Sequence, residues 1–598
     1  MKRRSLALAA TAAVIFFFFM TAFPACAAVV EHTFVVSHMN MTHLCKETRV
    51  MVVNGQLPGP AIEVTEGDSV VVHVVNKSPY NMTIHWHGVK QQLNCWADGV
   101  PMITQRPILP NNNFTYRFDV SGQEGTLWWH AHVPLIRATV HGILIIRPGH
   151  GAVSYPFPKP HKEIPIIIGE WWSEDIAQVD TTVSYNSAST INGKLGDLYN
   201  CSGAMEQGYM MEVEPGEIYL LRVINAALLS EYYLKIAGHK FTVVAADANY
   251  VSPYTTDIIA IAPGQTFDAL VVADASPGRY YMVALPNQPP KPDFQSPVLP
   301  SRGILQYSNV AGGSQSGDVP MSPEMPDNHN NMLSFYFHGN LTNLHHPRHQ
   351  PVPERIDERI FITLGLGSVC RNGRQSCKRG DNSLESLIVA TMNSMSFLLP
   401  NVSTALLEAR YYNTSNMDWL QELPDVPPRV FNFTDHSLIP AGPKEEKLEP
   451  SSRAALARRF RYGAVVEVVF QSTALMQSDS NPMHLHGHNM FVLAQGHGNY
   501  DMARDLARYN LVNPPVVNTV LVPRLGWVAV RFVADNPGIW YMHCHYEFHL
   551  TMGMVALFIV EDGQTTNTSL PSPPADIQAY GNANNLMPDK YYLQNEER

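Results

Sequence analysis

The sequence predicts an all-β protein built from three similar β-sandwich or barrel units. Each unit begins with an apolar, β-branched strand after a turn, at 70–75, 218–224 and 464–470. Each unit ends on a related strand that runs from glycine into aromatic residues, at 125–132, 278–285 and 538–545. Short strands with turn signals, and no convincing amphipathic helix, are typical of sandwiches and barrels. A repeat this long indicates domain duplication and not a solenoid.

The units are joined and flanked by segments of different composition. Residues 286–300 are rich in proline, and residues 311–331 are rich in Gly, Ser, Pro and Asn, which predicts a linker before the third unit. The polar C-terminal tail is expected to have no fold. The predicted boundaries are a signal peptide at 1–28, the first domain at 29–150, the second at 151–310, the linker at 311–333, the third domain at 334–563 and the tail at 564–598.

The N-terminus has the three parts of a secretory signal. Basic residues at 2–4 precede an apolar run at 6–20, and small residues follow at 25–27. This pattern predicts a removed signal peptide that is cut near Ala27 or Ala28. The run is too short to span a bilayer comfortably, and no later stretch is long and apolar enough to do so. We therefore expect a secreted protein without a membrane anchor.

Ten Asn-X-Ser/Thr sequons follow the signal, and this density favours a secreted protein with N-linked glycans. They lie at Asn40, Asn76, Asn81, Asn113, Asn200, Asn340, Asn401, Asn413, Asn432 and Asn567. The Asn76 sequon is the weakest acceptor because Pro79 follows it. The formal net charge of −11 argues against nucleic acid as a partner.

Six cysteines remain once Cys26 leaves with the signal. If Cys544 is a metal ligand, an oxidising compartment would pair four of the other five. The predicted pairs are Cys370 with Cys377, across a short polar loop, and Cys45 with Cys201, between the first and second domains. Cys95 then has no partner.

The stretch at 540–554 carries the ligand types of a mononuclear copper site. Cys544, His549 and Met554 offer a thiolate, an imidazole and a weak axial thioether. Because successive side chains of a strand face opposite ways, His543 and His545 are expected on the other side from Cys544. One strand could therefore serve two metal sites. For His-Cys-His alone, a buried strand with an inert thiol is the alternative.

Four His-X-His units, each in a strand-like context, strengthen the metal interpretation because imidazole suits copper. They are His85 with His87, His130 with His132, His484 with His486, and His543 with His545. The first unit has Ala131 where the third has Cys544, and the middle unit has no ligand at 283–285. We therefore expect the thiolate site in the third domain and an eight-histidine cluster where the first and third domains meet. The other histidines, including His338, are interpreted as solvated.

With these motifs in place, the chain resembles the multicopper oxidases, and among them the plant laccases, from about Phe34 to Asp562. The resemblance extends to the stretches at 54–60, 96–99, 122–129 and 191–193. It implies three cupredoxin-like Greek-key domains and four copper ions, namely one type 1, one type 2 and a type 3 pair. It also implies one-electron oxidation of phenolics, such as lignin precursors or lignin-derived phenols, coupled to four-electron reduction of dioxygen to water.

The resemblance also assigns roles to residues of this chain. The residues that resemble type 2 ligands are His85 and His484. Those that resemble type 3 ligands are His87, His130, His132, His486, His543 and His545, and those that resemble type 1 ligands are Cys544, His549 and Met554. His549 is expected nearest to solvent, where a phenol would give up its electron. Asp98 and Glu547 match carboxylates that supply protons to the cluster, with ordinary carboxylates as the alternative.

One position departs from the family pattern. The family has His-Pro-X-His-Leu-His-Gly with its first histidine on the type 1 copper, whereas this chain has Asn481 there. His488 cannot substitute by a shift of register, because Met483 would then occupy the ligand position. An amide oxygen is a weak ligand for a soft copper site. The alternative to a laccase is therefore a weakly active or non-enzymatic copper protein, and ascorbate oxidase and ferroxidase are the rival enzyme activities.

Overall fold

The computed structural model describes residues 27–149, 155–176, 179, 186–289, 299–308, 319–344, 351–370, 386–414, 417–439, 448–476, 480–575 and 577. Strands dominate these residues, so the predicted all-β fold is confirmed. No helix in these ranges is long and apolar enough to cross a membrane.

The first domain is a sandwich of two sheets. Its strands alternate buried and exposed side chains, as in Asn113–Asp119, where Phe114, Tyr116 and Phe118 point into the core. One sheet has the order Lys46–Val53, Val29–His43, Ser69–Asn76 and Asn113–Asp119. The other has the order Ile62–Thr65, His141–Arg147, Gly125–Ala131 and Ile84–His87.

The second domain is also a pair of sheets, accompanied by a small hairpin. The first sheet has the order Ala188–Ile191, Lys162–Trp171, Ile218–Asn225, Thr266–Val272, Phe241–Ala246 and Asn249–Thr256. The second has the order Met210–Val213, Ser301–Tyr307, Arg279–Pro286, Tyr232–Ile236 and Ile259–Ile261. The hairpin pairs Asn200–Cys201 with Ala204–Met205.

In the third domain the strands are hydrogen-bonded one to the next in a single continuous order, which we call the strand path. Strands from both halves of this path contribute to one apolar core. Val468 and Phe470 from one part of the path and Leu557 and Ile559 from the other belong to the same buried cluster. The path runs Val516–Val517, Met490–His497, Gly526–Ala534, Ala464–Ser472, Glu358–Cys370, Ser386–Met392, Met395–Phe397, Ser452–Phe460, Val555–Val560, Gly538–Cys544, Ser480–Leu485 and Thr519–Pro523. Leu420–Glu422 and Glu449–Pro450 pair onto it from the side.

The helices are short and lie between strands. Within the described ranges, the α-helices are Asn331–Gly339, Leu406–Tyr411, Met502–Asp505 and Glu547–Thr551. The 3₁₀ helices are Cys95–Ala97, Ile136–Ala138, His436–Leu438, Leu506–Arg508 and Thr566–Thr568. The helix Asn331–Gly339 begins within the last residues of the predicted linker at 311–333 and contacts strand Ile259–Ile261 of the second domain. The domain boundaries themselves stay predictions.

The cysteines behave as predicted wherever the structure describes them. Cys45 and Cys201 form a disulfide between the first and second domains, and Cys95 is a buried free thiol. Cys370 is also disulfide-bonded, while its predicted partner, Cys377, lies outside the described residues. Of the predicted signal peptide at 1–28, residues 1–26 lie outside them as well.

The expectation of no fold after 563 is wrong for the first part of the tail. The 3₁₀ helix Thr566–Thr568 begins with a capping box at Thr565. Pro571 accepts a hydrogen bond from Trp96 Nε1 at 2.9 Å, and Ile577 is buried against the core. Leu570 also packs against the core, so a few apolar side chains and a backbone carbonyl hold this segment, and its polar composition did not indicate the packing.

Candidate metal centre

The four His-X-His units converge where the first and third domains meet, as predicted. Strand pairing aligns them: His85 lies opposite His130 in the first domain, and His484 lies opposite His543 in the third. Alternation along each strand then aims both histidines of a unit at one side. Three histidine groups have ligand atoms within 4.8 Å of one another, namely His87, His130 and His545; His132, His486 and His543; and His85, His87 and His484.

Hydrogen bonds on the outer side fix the orientation of most rings. The Nδ1 atoms of His85, His130, His484 and His543 lie 2.7–3.0 Å from the backbone carbonyl oxygens of Asp98, Ala131, Asn518 and Cys544. His87 is turned the other way, with Nε2 3.1 Å from Asn518 Oδ1 and 3.0 Å from Thr519 Oγ1. Such outer contacts set the tautomer and orient metal-ligating imidazoles.

The inner nitrogens have no hydrogen-bond partner within the described part of the chain. These atoms are Nε2 of His85, His130, His132 and His484, Nδ1 of His87, and both ring nitrogens of His545. Leaving so many polar atoms unpaired in a buried site is costly. Their convergence is explained if they bind metal ions, so the residues present fit the copper ions that the resemblance implies.

The histidines are held in the form that binds metal. Burial lowers the pKa values well below the ordinary value, and neighbouring imidazoles lower them further. This holds for His87, His130, His132, His484, His486, His543 and His545. Arg137 adds to the lowering of the pKa for His130, His132, His543 and His545. Neutral imidazoles are metal ligands, whereas protonated ones are not.

Asp98 touches two of the cluster histidines. Its Oδ2 accepts a hydrogen bond from His486 Nδ1 at 2.9 Å, and its backbone oxygen accepts one from His85 Nδ1 at 2.7 Å. The next residue, Gly99, has φ +81°, and a Cβ there would lie 1.9 Å from Ile84 O. Glycine is thus required for the Asp98 loop to reach the strand that carries His85.

Glu547 lies near the cluster but contacts a different group. Its Oε2 is 3.4 Å from Arg137 Nη2, and that guanidinium donates a hydrogen bond to His545 O at 3.0 Å. Burial raises the pKa of Glu547, and Arg137 opposes the rise. Sequence reasoning missed Arg137, because nothing in its local pattern indicates a buried cation beside the cluster.

The predicted thiolate site lies on the opposite side of the same strand. Cys544 Sγ is 3.4 Å from His549 Nδ1, and Cys544, His549 and Met554 are all buried. We expected the edge of His549 nearest to solvent, but its ring is only 1% exposed and packs 4.1 Å from the Phe548 ring. Burial raises the pKa of the Cys544 thiol to about 12, so metal binding must displace its proton.

Asn481 is buried on the strand that neighbours Cys544. The strand pairing places Met483 opposite Cys544, two residues from Asn481. Both amide atoms of Asn481 are buried, and neither Oδ1 nor Nδ2 has a partner among the residues that the structure places. An unpaired buried amide is unusual and indicates a missing neighbour.

The second domain supplies no histidine to the cluster but forms part of its wall. Gly264 lies so close to His545 that a Cβ would come within 2.9 Å of the ring. Asp247 accepts hydrogen bonds from the backbone N–H groups of Asn518 and Thr519 at 3.1 and 3.0 Å. Sequence reasoning missed Asp247, because its contact with Asn518 joins positions 271 residues apart.

A cavity of about 470 Å³ lies between the second and third domains and reaches the strand of Asn481. We call it the interdomain pocket. Its wall includes Glu231 and His329 on one side and Ser480, His497 and Leu521 on the other. Ser480 precedes Asn481 on this strand and donates a hydrogen bond to Glu231 Oε2 at 3.2 Å.

Comparison with known protein families agrees with this arrangement. Sequence profiles described as multicopper oxidase match residues 35–151, 162–309 and 422–564. The chain is 65% identical to Laccase-15 of Oryza sativa subsp. japonica over 573 residues, which cover 93% of this chain and 95% of that one. It is 56% identical to Laccase-19 of the same subspecies over 562 residues, which cover 93% and 94%.

Solved structures share the fold. A laccase from Botrytis aclada matches with a TM-score of 0.69 and 24% identity over 93% of this chain and 92% of that one. Fet3p, a multicopper oxidase that functions in iron import, matches with a TM-score of 0.65 and 20% identity over 95% and 94%. The predicted fold of three cupredoxin-like domains is therefore confirmed.

Proposed function

This chain belongs to the multicopper oxidase family and is an oxidoreductase similar to plant laccases, and we propose that it couples one-electron oxidation of phenolics to reduction of dioxygen to water. The observation that carries the proposal is the convergence of eight buried histidines beside a strand that also carries Cys544. Lignin precursors or lignin-derived phenols are the proposed substrates.

Three groups of ring nitrogens would hold the copper ions of the cluster. His87, His130 and His545 would hold one type 3 ion, His132, His486 and His543 the other, and His85 with His484 the type 2 ion. Cys544, His549 and Met554 would hold the type 1 ion. Copper bound at these residues supplies the one-electron redox chemistry and the site for dioxygen.

The protein contributes orientation, a covalent route and proton donors. Cys544 is bonded through the backbone to both His543 and His545, so one strand connects the thiolate site to two of the histidine groups. Asp98 holds His85 and His486 and can exchange a proton next to them. Glu547 is the second proposed proton donor. Its Oε2 lies next to Arg137, and its Oε1 has no hydrogen-bond partner within the described ranges.

The interdomain pocket is the proposed site for the phenol. Pockets for small molecules are mostly apolar with a few placed polar groups. Here Phe335, Leu521 and Pro523 offer apolar walls, and the buried carboxyl of Glu231 offers a hydrogen-bond acceptor. Since His549 is buried, transfer of the phenol's electron through the Ser480 side of the pocket is an alternative to transfer at the edge of His549.

Secretion to the extracellular space, or apoplast, and N-glycosylation complete the proposal. Eight of the ten sequon asparagines are exposed, and Asn81 is partly exposed. Asn76 is buried and donates hydrogen bonds to Tyr80 O at 2.7 Å and Ile108 O at 2.8 Å. Asn76 is therefore excluded as a glycan acceptor in the folded state, and its burial is a stronger reason than the proline that follows its sequon.

A weakly active or non-enzymatic copper protein is the second candidate, and Asn481 favours it. If the type 1 site lacks an imidazole, the wild type should bind its fourth copper weakly and show weak thiolate-to-copper absorption. Asn481→His supplies the second imidazole that blue copper sites use, so it should deepen the colour and raise phenol oxidation. A wild type that is already fully blue and fast would rule this candidate out.

Oxygen uptake separates the candidate activities. The purified holoprotein should consume dioxygen with phenols faster than with ascorbate or ferrous iron. His130→Ala or His545→Ala should abolish uptake with little loss of fold, because each removes a ligand from a group with no spare imidazole. His161→Ala, at an exposed imidazole outside the cluster, is the matched control. Undiminished uptake in His130→Ala would show that the cluster is misassigned.

A further inference from the structure

His338 lies in the wall between two cavities. One is the interdomain pocket, and the other is a cavity of about 120 Å³ that we call the cluster-side cavity. Asp247, Gln265 and Thr519 line the cluster-side cavity, and His338 lines both. Because the helix Asn331–Gly339 presents this ring to both spaces, His338 is not a solvated loop residue as the sequence suggested.

Both ring nitrogens of His338 face hydrogen-bond acceptors. Nδ1 is 2.9 Å from Ser334 O, and Nε2 is 3.0 Å from Gln265 Oε1. The Gln265 amide cannot reverse, since its Oε1 also accepts from Ala262 N at 2.9 Å and its Nε2 donates to Thr519 O at 3.2 Å. A neutral imidazole carries one N–H and can satisfy only one acceptor, whereas an imidazolium satisfies both.

The surroundings keep this ring neutral at rest. Burial lowers the pKa of His338, and the hydrogen bond to Ser334 O acts in the opposite direction. When the ring is protonated, its second N–H therefore has an acceptor already in position, but burial disfavours the charged form of the ring. These are the properties of a group that takes up a proton and passes it on.

Polar groups continue from His338 to the histidine cluster. Gln265 joins it to the backbone of Thr519, and Thr519 Oγ1 lies 3.0 Å from His87 Nε2 and 3.1 Å from His484 Nδ1. The cluster-side cavity adjoins the same residues and has room for several water molecules between polar groups. Water there can carry a proton past the amide and backbone groups, which cannot relay one themselves.

Polar groups also lead from His338 to the proposed phenol site. Ser334 Oγ donates a hydrogen bond to Glu231 Oε1, and Ser480 Oγ donates to Glu231 Oε2 at 3.2 Å. Glu231 is buried, which raises the pKa of its carboxyl. Glu231 can therefore accept a proton that a donor in the interdomain pocket loses, and Ser334 connects Glu231 to His338.

We propose that His338 relays protons from the interdomain pocket to water in the cluster-side cavity, and so to the edge of the histidine cluster at Thr519. The neutral imidazole accepts a proton and becomes an imidazolium, whose two N–H groups satisfy both acceptors. It then releases that proton to water in the cluster-side cavity from the same nitrogen, so the ring returns to its starting tautomer. The inference rests on the proposed function: four phenols release four electrons and four protons, which equal those that one dioxygen consumes on becoming two waters. The other titratable or charged groups lining the two cavities are Glu231, Asp247, His329, His436, His497 and Arg524.

The first test compares His338→Gln with His161→Gln. His161 is exposed, lines neither cavity, and its Nδ1 lies 3.4 Å from Glu217 Oε2. We expect His338→Gln to lower kcat for oxygen uptake by about tenfold or more, with an unchanged KM for the donor and a larger solvent isotope effect. His161→Gln should leave all three unchanged. Unchanged kcat and isotope effect in His338→Gln would overturn the proposal.

The second test does not depend on phenol oxidation. The holoenzyme is reduced anaerobically with dithionite and mixed with dioxygen, and the pH profile of reoxidation is recorded for wild type and variant. A slower reoxidation in His338→Gln supports the relay even if no phenol is a substrate, whereas equal profiles would overturn it. Failure of phenol oxidation alone would count only against the proposed function.

The protonation state of the ring gives a readout independent of activity. NMR of isotope-labelled histidine in the reduced, diamagnetic holoenzyme should show His338 exchanging between neutral and protonated forms. Gln265→Leu removes one acceptor and should suppress the protonated form, and it also serves as the kinetic variant if His338→Gln does not fold. A His338 signal that never exchanges in the wild type would refute the relay.

Discussion

Asp98→Asn tests the role of a carboxylate that contacts the cluster directly. Asparagine preserves the size of the side chain and the backbone carbonyl that holds His85, but it removes the charge that faces His486 Nδ1 at 2.9 Å. Hydrogen bonds to charged groups contribute about 1.5–3 kcal/mol, which corresponds to roughly 10- to 150-fold in an equilibrium or rate constant. Both the orientation of His486 and proton exchange beside it should suffer.

The assay measures copper per chain and oxygen uptake on the same sample. We expect Asp98→Asn to retain its copper at saturating metal, to bind it roughly 10- to 100-fold more weakly, and to turn over at least tenfold more slowly. Asp119→Asn, at an exposed carboxylate on a strand of the first domain, is the control and should match the wild type. Full turnover in Asp98→Asn would refute the reasoning about this carboxylate.

Three further outcomes are expected. Replacing Cys45 and Cys201 by serine opens a bond between positions 156 residues apart, which should lower the free energy of unfolding by about 2–5 kcal/mol in denaturant titrations; an unchanged midpoint would contradict this. Asn113→Gln should lower the mass of the secreted protein by one N-glycan, whereas Asn76→Gln should not, as mass spectrometry can verify. The copper-free protein should lose stability as pH falls below about 6.5, because the cluster histidines have lowered pKa values and the unfolded chain binds more protons; a melting temperature that rises on acidification would count against this.

The ligand pattern could be predicted from sequence because it is local. Two histidines at positions i and i+2 of a strand share a face, so His85 with His87 and His543 with His545 had to point the same way. The repeated unit endings then placed Ala131 and Cys544 at corresponding positions, which located the thiolate site. Counting the cysteines left three candidates for the second disulfide, and the predicted pair of Cys45 with Cys201 is the one that forms.

The remaining parts of the site depend on contacts between distant segments. Asp247 meets Asn518, and Arg137 meets His545, across hundreds of residues and between different domains. No spacing or periodicity indicates such pairs, because they are set by how the domains pack. The two acceptors around His338 belong to this class, as does the docking of Pro571 on Trp96.

The central claim is that the eight histidines hold copper that reduces dioxygen. Copper per chain, measured on the purified holoprotein together with oxygen uptake and peroxide release, tests it most directly. We expect at least three tightly bound copper ions, one for each histidine group, and uptake of dioxygen without peroxide. Fewer than three ions after reconstitution with copper, or peroxide as the main product, would contradict it.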